Sequence, residues 1–209
     1  DDSTENDMYS ATRHYTDIAR TSYLFTQIRV LVTYIRLLFF PINQNFDYDY
    51  PVYNTFLAPP VLVSFIFLSL LFILSAFLYL RSTKSSYLRA ISFGIVWFFI
   101  ALSVESSIFP IPMIICEYRL YLPSVGIFIA VATASMMVYN RSGKKAKMII
   151  FSAVSVAVIV VLSIVSHERN SVWKSNISLW EDAAKKSPDK LRTHKNLADF
   201  YYREGMLDK

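Results

Sequence analysis

One cysteine, Cys116, occurs in 209 residues, so no disulfide can form within the chain and its redox compartment cannot be read from it. Cys116 beside Glu117 reads as a reactive thiol or as a small, partly buried side chain, and the second is the ordinary fate of a free cysteine. Charge is scarce: only 18% of residues are Asp, Glu, Lys or Arg, against 54% hydrophobic and 16% aromatic. A soluble domain carries more charge than this, and the positive mean hydropathy points the same way, to a membrane protein. The histidines, His14, His167 and His194, lie far apart with no ligand spacing. There is no zinc motif, no Gly-rich phosphate loop and no Ser-His-Asp arrangement. Nothing points to nucleic acid, because the basic residues sit in short loops and on the tail. The opening "DDSTENDMYS" has no initiator Met, no basic n-region and no apolar run, so it is not a signal peptide; it reads as a cut inside a longer protein, as does the closing "REGMLDK".

What is present is a set of long apolar runs. About 20 apolar residues cross a bilayer core as a helix. Residues 61–80, "VLVSFIFLSLLFILSAFLYL", satisfy this without a charge, and spans are expected at 61–80, 90–109, 120–139 and 148–166. The loop 81–89 holds Arg81, Lys84 and Arg89, and the loop 140–147 holds Arg141, Lys144, Lys145 and Lys147; neither has an acid. Both are cytoplasmic by the positive-inside rule. The segment before the first span, the loop between spans two and three, and the tail then lie outside. The expected fold is all-α, a polytopic transmembrane helical bundle. Residues 1–58 form an outer segment, 59–166 the spans and 167–209 the start of a repeat region.

Residues 22–40, "SYLFTQIRVLVTYIRLLFF", predict an interfacial helix. At 100° per residue Ser22, Thr26, Arg29, Thr33 and Arg36 fall on one arc, with Gln27 as the exception to an otherwise apolar surface. The arginines either snorkel to headgroups or face a phosphate-bearing lipid. The loop 41–58, rich in Pro, Asn and Tyr, follows. Its Asp47 and Asp49 form an Asp-x-Asp pair, a candidate for a divalent cation or simply a solvated turn.

Glu105 stands near the outer end of span two, where an ionisable group is a functional-site hypothesis. Glu117 and Arg119 follow across a short loop in "CEYRLYLPSVG". Two readings stand. One is an ion pair of Arg119 with Glu105 that locks spans two and three. The other is an anion site, with Arg119 on a lipid-linked phosphate and Glu105 or Glu117 holding the arginine. Tyr121 and Ser124 either add hydrogen bonds or serve as a belt aromatic and a helix-start residue. Pro123 suits the first turn of span three, and Gly126 close helix packing.

The tail fits the 34-residue tetratricopeptide period. Leu197, Ala198, Tyr201 and Gly205 occupy first-helix positions, and Trp180, Ala183 and Pro188 the second helix and closing turn of a preceding unit. An ordinary helical hairpin is the alternative.

Taken together, "YLFTQIRVLVTYIRLLFFP", "VESSIFPIP" and "CEYRLYLPSVG", followed by the repeat pattern, resemble the transmembrane and tetratricopeptide-repeat O-mannosyltransferase-like proteins, from about residue 20 onward. The resemblance implies a GT-C-type membrane enzyme. It would pass a sugar, mannose or another hexose, from a polyprenyl-phosphate donor to a Ser or Thr hydroxyl of an acceptor protein bound by the repeats. It implies a bacterial inner membrane with periplasmic repeats, or the endoplasmic reticulum with luminal ones. It also implies that Arg29, Arg36, Glu105, Glu117 and Arg119 wall a lipid-phosphate pocket. In such proteins the catalytic acid lies in the first outer loop, expected ahead of Asp1, so no catalytic base is assigned among these residues. Two other functions compete: a membrane-anchored repeat scaffold without catalysis, and an O-antigen-type ligase or polymerase, which would rest on a large outer loop with His and Arg.

Overall fold

The computed structural model describes residues 18–103, 113–141 and 145–206. Among the described residues the secondary structure is helical, with no strand. The helices, in chain order, are α1 (Arg20–Phe39), α2 (Pro59–Leu80), α3 (Ser86–Ser103), α4 (Tyr121–Arg141), α5 (Lys145–Val172), α6 (Asn176–Lys186) and α7 (Leu191–Arg203), with short 3-10 turns at Ser82–Lys84 and Glu117–Leu120. Among the described residues four helices are long and apolar enough to cross a membrane: Pro59–Leu80, Ser86–Ser103, Glu117–Arg141 and Lys147–Val172. The second starts earlier than hydropathy places it, because Ser86–Arg89 form its first turn. The expected end of that span, and Glu105 with it, lies outside the described residues.

The chain divides into two compact units. One holds residues 66–104 and 119–171, and its core is the pair α3 and α4. Ile91, Ile95 and Ala130 are buried together, with Leu78, Phe99 and Ala134 against them. Gly94 and Gly126 face each other so closely that a Cβ on Gly94 would meet the Gly126 carbonyl oxygen at 2.2 Å, and one on Gly126 the Gly94 carbonyl oxygen at 2.4 Å. Only glycine allows this approach, which is the small-residue packing that membrane helices use without a hydrophobic force between them. The indole of Trp97 donates to the Leu122 carbonyl at 3.0 Å. On its other side α3 meets α2 through a buried serine pair: the Ser75 and Ser92 hydroxyls lie 3.1 Å apart, and Ser92 donates to the Ser75 carbonyl at 2.8 Å. α5 buries none of its apolar stretch in this unit. A helix apolar all round and uncovered by protein belongs in lipid or against further helices.

The second unit holds residues 1–65, 105–118 and 172–209. Its centre is α1, packed by the loop 40–58 and by residues 113–117. The helix buries Ser22, Tyr23, Thr26, Gln27, Val30, Thr33, Tyr34 and Leu37. This corrects the sense of the polar arc. Ser22, Thr26 and Thr33 face protein, not the surface; Arg29 is half-buried at the edge and Arg36 is exposed. The reason is hydrogen bonding. Thr26 Oγ1 accepts the Tyr53 backbone N–H at 2.9 Å, Thr33 Oγ1 and the Tyr50 hydroxyl are 2.8 Å apart, and Gln27 donates to the Ile114 carbonyl at 2.9 Å. An irregular segment laid on a helix has backbone groups to satisfy, and short polar side chains on that helix satisfy them.

α6 and α7 form an antiparallel pair. Ser175 and Ser178 make a reciprocal capping box at the start of α6. α7 ends on Gly205 at φ 72°, with Met206 N–H on the Tyr201 carbonyl and Gly205 N–H on the Tyr202 carbonyl, the two bonds of a Schellman motif.

Candidate functional site

Within the second unit, the loop after α1 is threaded onto the α6–α7 turn by buried polar contacts. Asn43, at φ 57°, reverses the chain in a conformation asparagine tolerates better than most residues. Asn45, Phe46 and Asp47 then point into the fold. The Asp47 carboxylate is 1% exposed and takes Lys190 Nζ at 2.7 Å on one oxygen; on the other it has Thr193 Oγ1 at 3.4 Å and Arg192 Nε at 3.9 Å. Lys190 also donates to the Tyr48 carbonyl at 2.7 Å. Ser187, at the end of α6, is fully satisfied: its hydroxyl donates to the Asp47 carbonyl at 2.9 Å and accepts from Asn45 Nδ2 at 2.8 Å and from the Asp49 backbone N–H at 3.0 Å. Phe46 sets its ring at right angles to both Trp173 and Trp180, with centroids 5.6 and 5.3 Å away. Those distances and angles are the favourable edge-to-face geometry.

Glu117 closes the other side of the loop. Its Oε1 accepts the Asn45 backbone N–H at 2.7 Å and the Tyr48 hydroxyl at 2.6 Å. Burial, then the hydrogen bond to Glu117 and its negative charge, push the Tyr48 phenol well above the ordinary tyrosine value. Tyr50 is also raised, chiefly by burial, against the lowering effect of the Thr33 hydrogen bond and of Arg29. Just before Glu117, Cys116 is buried, its backbone N–H and carbonyl both bonded to the Tyr34 hydroxyl at 3.0 and 3.1 Å. Cys116 is thus a small buried side chain in a segment held to α1 by Tyr34.

The sequence candidates therefore fall in different settings. Arg29, Arg36, Glu117 and the Asp47/Asp49 pair belong to the unit built on α1, and Arg119, Tyr121 and Ser124 to the unit built on α3 and α4. Arg36 donates to the Ile42 carbonyl at 3.1 Å and is exposed. Tyr121 is 81% exposed, and Ser124 donates to its carbonyl at 2.8 Å within the first turn of α4. The Asp-x-Asp pair splits: Asp47 is buried on Lys190, while Asp49 is exposed and enters the network through its backbone N–H. Among the described residues no group of three His, Cys, Asp or Glu side chains is placed to hold a metal. Of the repeat-signature positions, Trp180 and Ala183 are buried and Pro188 stands exposed in the turn. Leu197 is half-buried, Ala198 is exposed and the Tyr201 hydroxyl donates to Glu181.

Sequence reasoning missed Asn45, Ser187, Lys190 and Thr193. Their partners lie about 140 positions away, and no local pattern marks them. Comparison of the chain with protein-family models, with curated proteins and with solved structures finds no match.

Proposed function

We propose that these residues are part of a membrane glycosyltransferase that transfers a sugar from a polyprenyl-phosphate donor to a protein hydroxyl outside the membrane. The observation that carries it is the segment "CEYRLYLPSVG", which opens an apolar helix long enough to span a bilayer. Arg119 stands in the 3-10 turn Glu117–Leu120 that leads into it. A guanidinium at the mouth of a span is suited to a lipid-linked phosphate, because its fork gives two charge-assisted hydrogen bonds. Charge there stabilises the phosphate as it leaves the anomeric carbon. The general base is not assigned to any of these residues. On this reading α1 lies at the outer interface with Arg36 toward headgroups, and α6 and α7 are tetratricopeptide-type helices that present the acceptor.

A second reading draws on the same unit. The Asn45 and Asp47 side chains bind the 40–58 loop to the α6–α7 turn, as a scaffold would require to hold a repeat array in place, and Glu117 holds the same loop from its other side. The two readings part on whether transfer occurs. Membranes containing the protein are supplied with a labelled polyprenyl-phosphate sugar and a Ser/Thr acceptor. Arg119→Ala is expected to abolish transfer while the protein is still inserted and helical. Undiminished transfer removes the arginine from the mechanism, whereas no transfer by the unaltered protein leaves the scaffold reading.

A further inference from the structure

α2 and α3 leave an open recess between them, away from the α3–α4 contact. It encloses about 460 Å³, within the range of small-molecule and lipid-chain sites. Its floor is made of small residues, Ser75, Ala76 and Ser92. The serine hydroxyls are bonded to each other and to backbone, so the floor presents no unsatisfied polar group. Phe72 and Phe93 stand up as walls, each more than half exposed. From Arg89 to Val96, at its two ends on α3, the helix rises roughly 10 Å, so the recess reaches from the membrane surface well into one leaflet.

The mouth is chemically different from the floor. Arg89 and Tyr79 sit there, both exposed. The Arg89 guanidinium makes no hydrogen bond or ion pair to another described residue. Arg81 and Lys84 lie in the same acid-free loop, with Arg81 over the Phe77 ring at 5.1 Å. An apolar slot with Arg89 at its mouth, next in sequence to an acid-free basic loop, matches a ligand with an acyl chain and a negative headgroup, and basic pockets between membrane helices on the positively charged side bind such lipids.

We propose that the α2–α3 recess is a binding site for an anionic phospholipid of the leaflet on the basic-loop side, with one acyl chain between Phe72 and Phe93 and the headgroup phosphate on Arg89. The test uses the whole purified chain, stripped of lipid in detergent and titrated with phosphatidylglycerol or with phosphatidylcholine of the same chains, bound lipid being counted by native mass spectrometry. Phosphatidylglycerol is expected to be retained in preference. Arg89→Ala should lower that retention by about fivefold, the effect of one surface cation on an anionic lipid. Ala76→Leu, which fills the exposed floor without touching the α3–α4 core, should lower retention of both lipids. Arg141→Ala, an equal loss of charge at the end of α4, should change nothing. The proposal is overturned if Arg141→Ala matches Arg89→Ala, if Ala76→Leu has no effect at unchanged helix content, or if the deacylated headgroup competes as well as the lipid.

Discussion

At the scale of single residues, the Asp47–Lys190 pair is the most consequential contact in the unit built on α1. Both groups are nearly removed from water, and the pair is tolerated because Thr193 and the Tyr48 carbonyl complete the bonding. Removing one member of such a pair leaves a buried charge and costs about 3–5 kcal/mol, far more than an exposed pair is worth. Lys190→Met should therefore open the 40–58 loop to protease, whereas Arg203→Ala, which loses the exposed bridge to Asp199, should not. Adding Asp47→Asn to Lys190→Met should restore part of the protection, since no buried charge then remains. Additive loss in the double variant would show that the two groups do not act as a pair.

Tyr48 makes a prediction about pH at the same scale. Its phenol ionises above its ordinary value of 10.0, because burial and the neighbouring Glu117 carboxylate both oppose the phenolate. A pKa raised in the folded state gives stability that is complete below the unfolded value. That stability is lost as pH rises beyond about 10. Thermal unfolding followed from neutral to strongly alkaline pH should fall off above that point in the native protein. It should fall off less in Tyr48→Phe. Equal slopes would mean that the hydroxyl bonded to Glu117 contributes nothing to the alkaline limit.

At the scale of elements, two devices join helices without large apolar interdigitation. Gly94 and Gly126 bring backbones into contact, and Ser75 and Ser92 hold α2 to α3 through one shared polar rung. Gly126→Leu would push its side chain into the Gly94 carbonyl and the Trp97 ring, whose Cδ1 a Cβ would meet at 2.8 Å. Overpacking of that kind costs about 1–3 kcal/mol or separates the helices. The melting temperature in detergent should drop, and Trp97 emission should change as its bond to Leu122 is lost. Val125→Leu, one position earlier and 48% exposed, is the neutral comparison. An unchanged melting temperature for Gly126→Leu would mean that α3 and α4 are not held at the glycine contact.

At the scale of the whole molecule, the expected orientation rests on two basic loops, neither of which holds an acid. It is tested by single cysteines in a Cys116→Ser background: Thr83→Cys in the first basic loop and Asn54→Cys in the loop before α2. A thiol reagent that cannot cross the membrane should label them from opposite sides. Labelling from the same side would remove one span from the count, and labelling of Thr83→Cys from outside would reverse the assignment of the outer face, along with the proposed place of Arg119.

Local chemistry along the chain is enough to set several of the elements. Unbroken apolar runs such as 61–80 fixed the long helices, because a backbone in an apolar environment must bond to itself. The helix ends at Ser175–Ser178 and Gly205 also follow from signals that act within one turn, although the repeat pattern marked Gly205 only as a signature position and the serine cap not at all. Gly126 was legible as a packing residue, though its partner Gly94 was not. Which face of α1 is inward depends on what packs against it in the fold. The arc of Ser22, Thr26 and Thr33 looks like an outer stripe by periodicity, and becomes an inner one because a loop with backbone groups to satisfy lies on it. The fold also decided that Asp47 pairs with Lys190 and not with Asp49. Periodicity reports spacing along one helix, whereas these bonds join separate segments, 27 and 17 residues apart where Tyr53 and Tyr50 bond to α1 and 143 apart for Asp47 and Lys190, and nothing within either segment encodes the other.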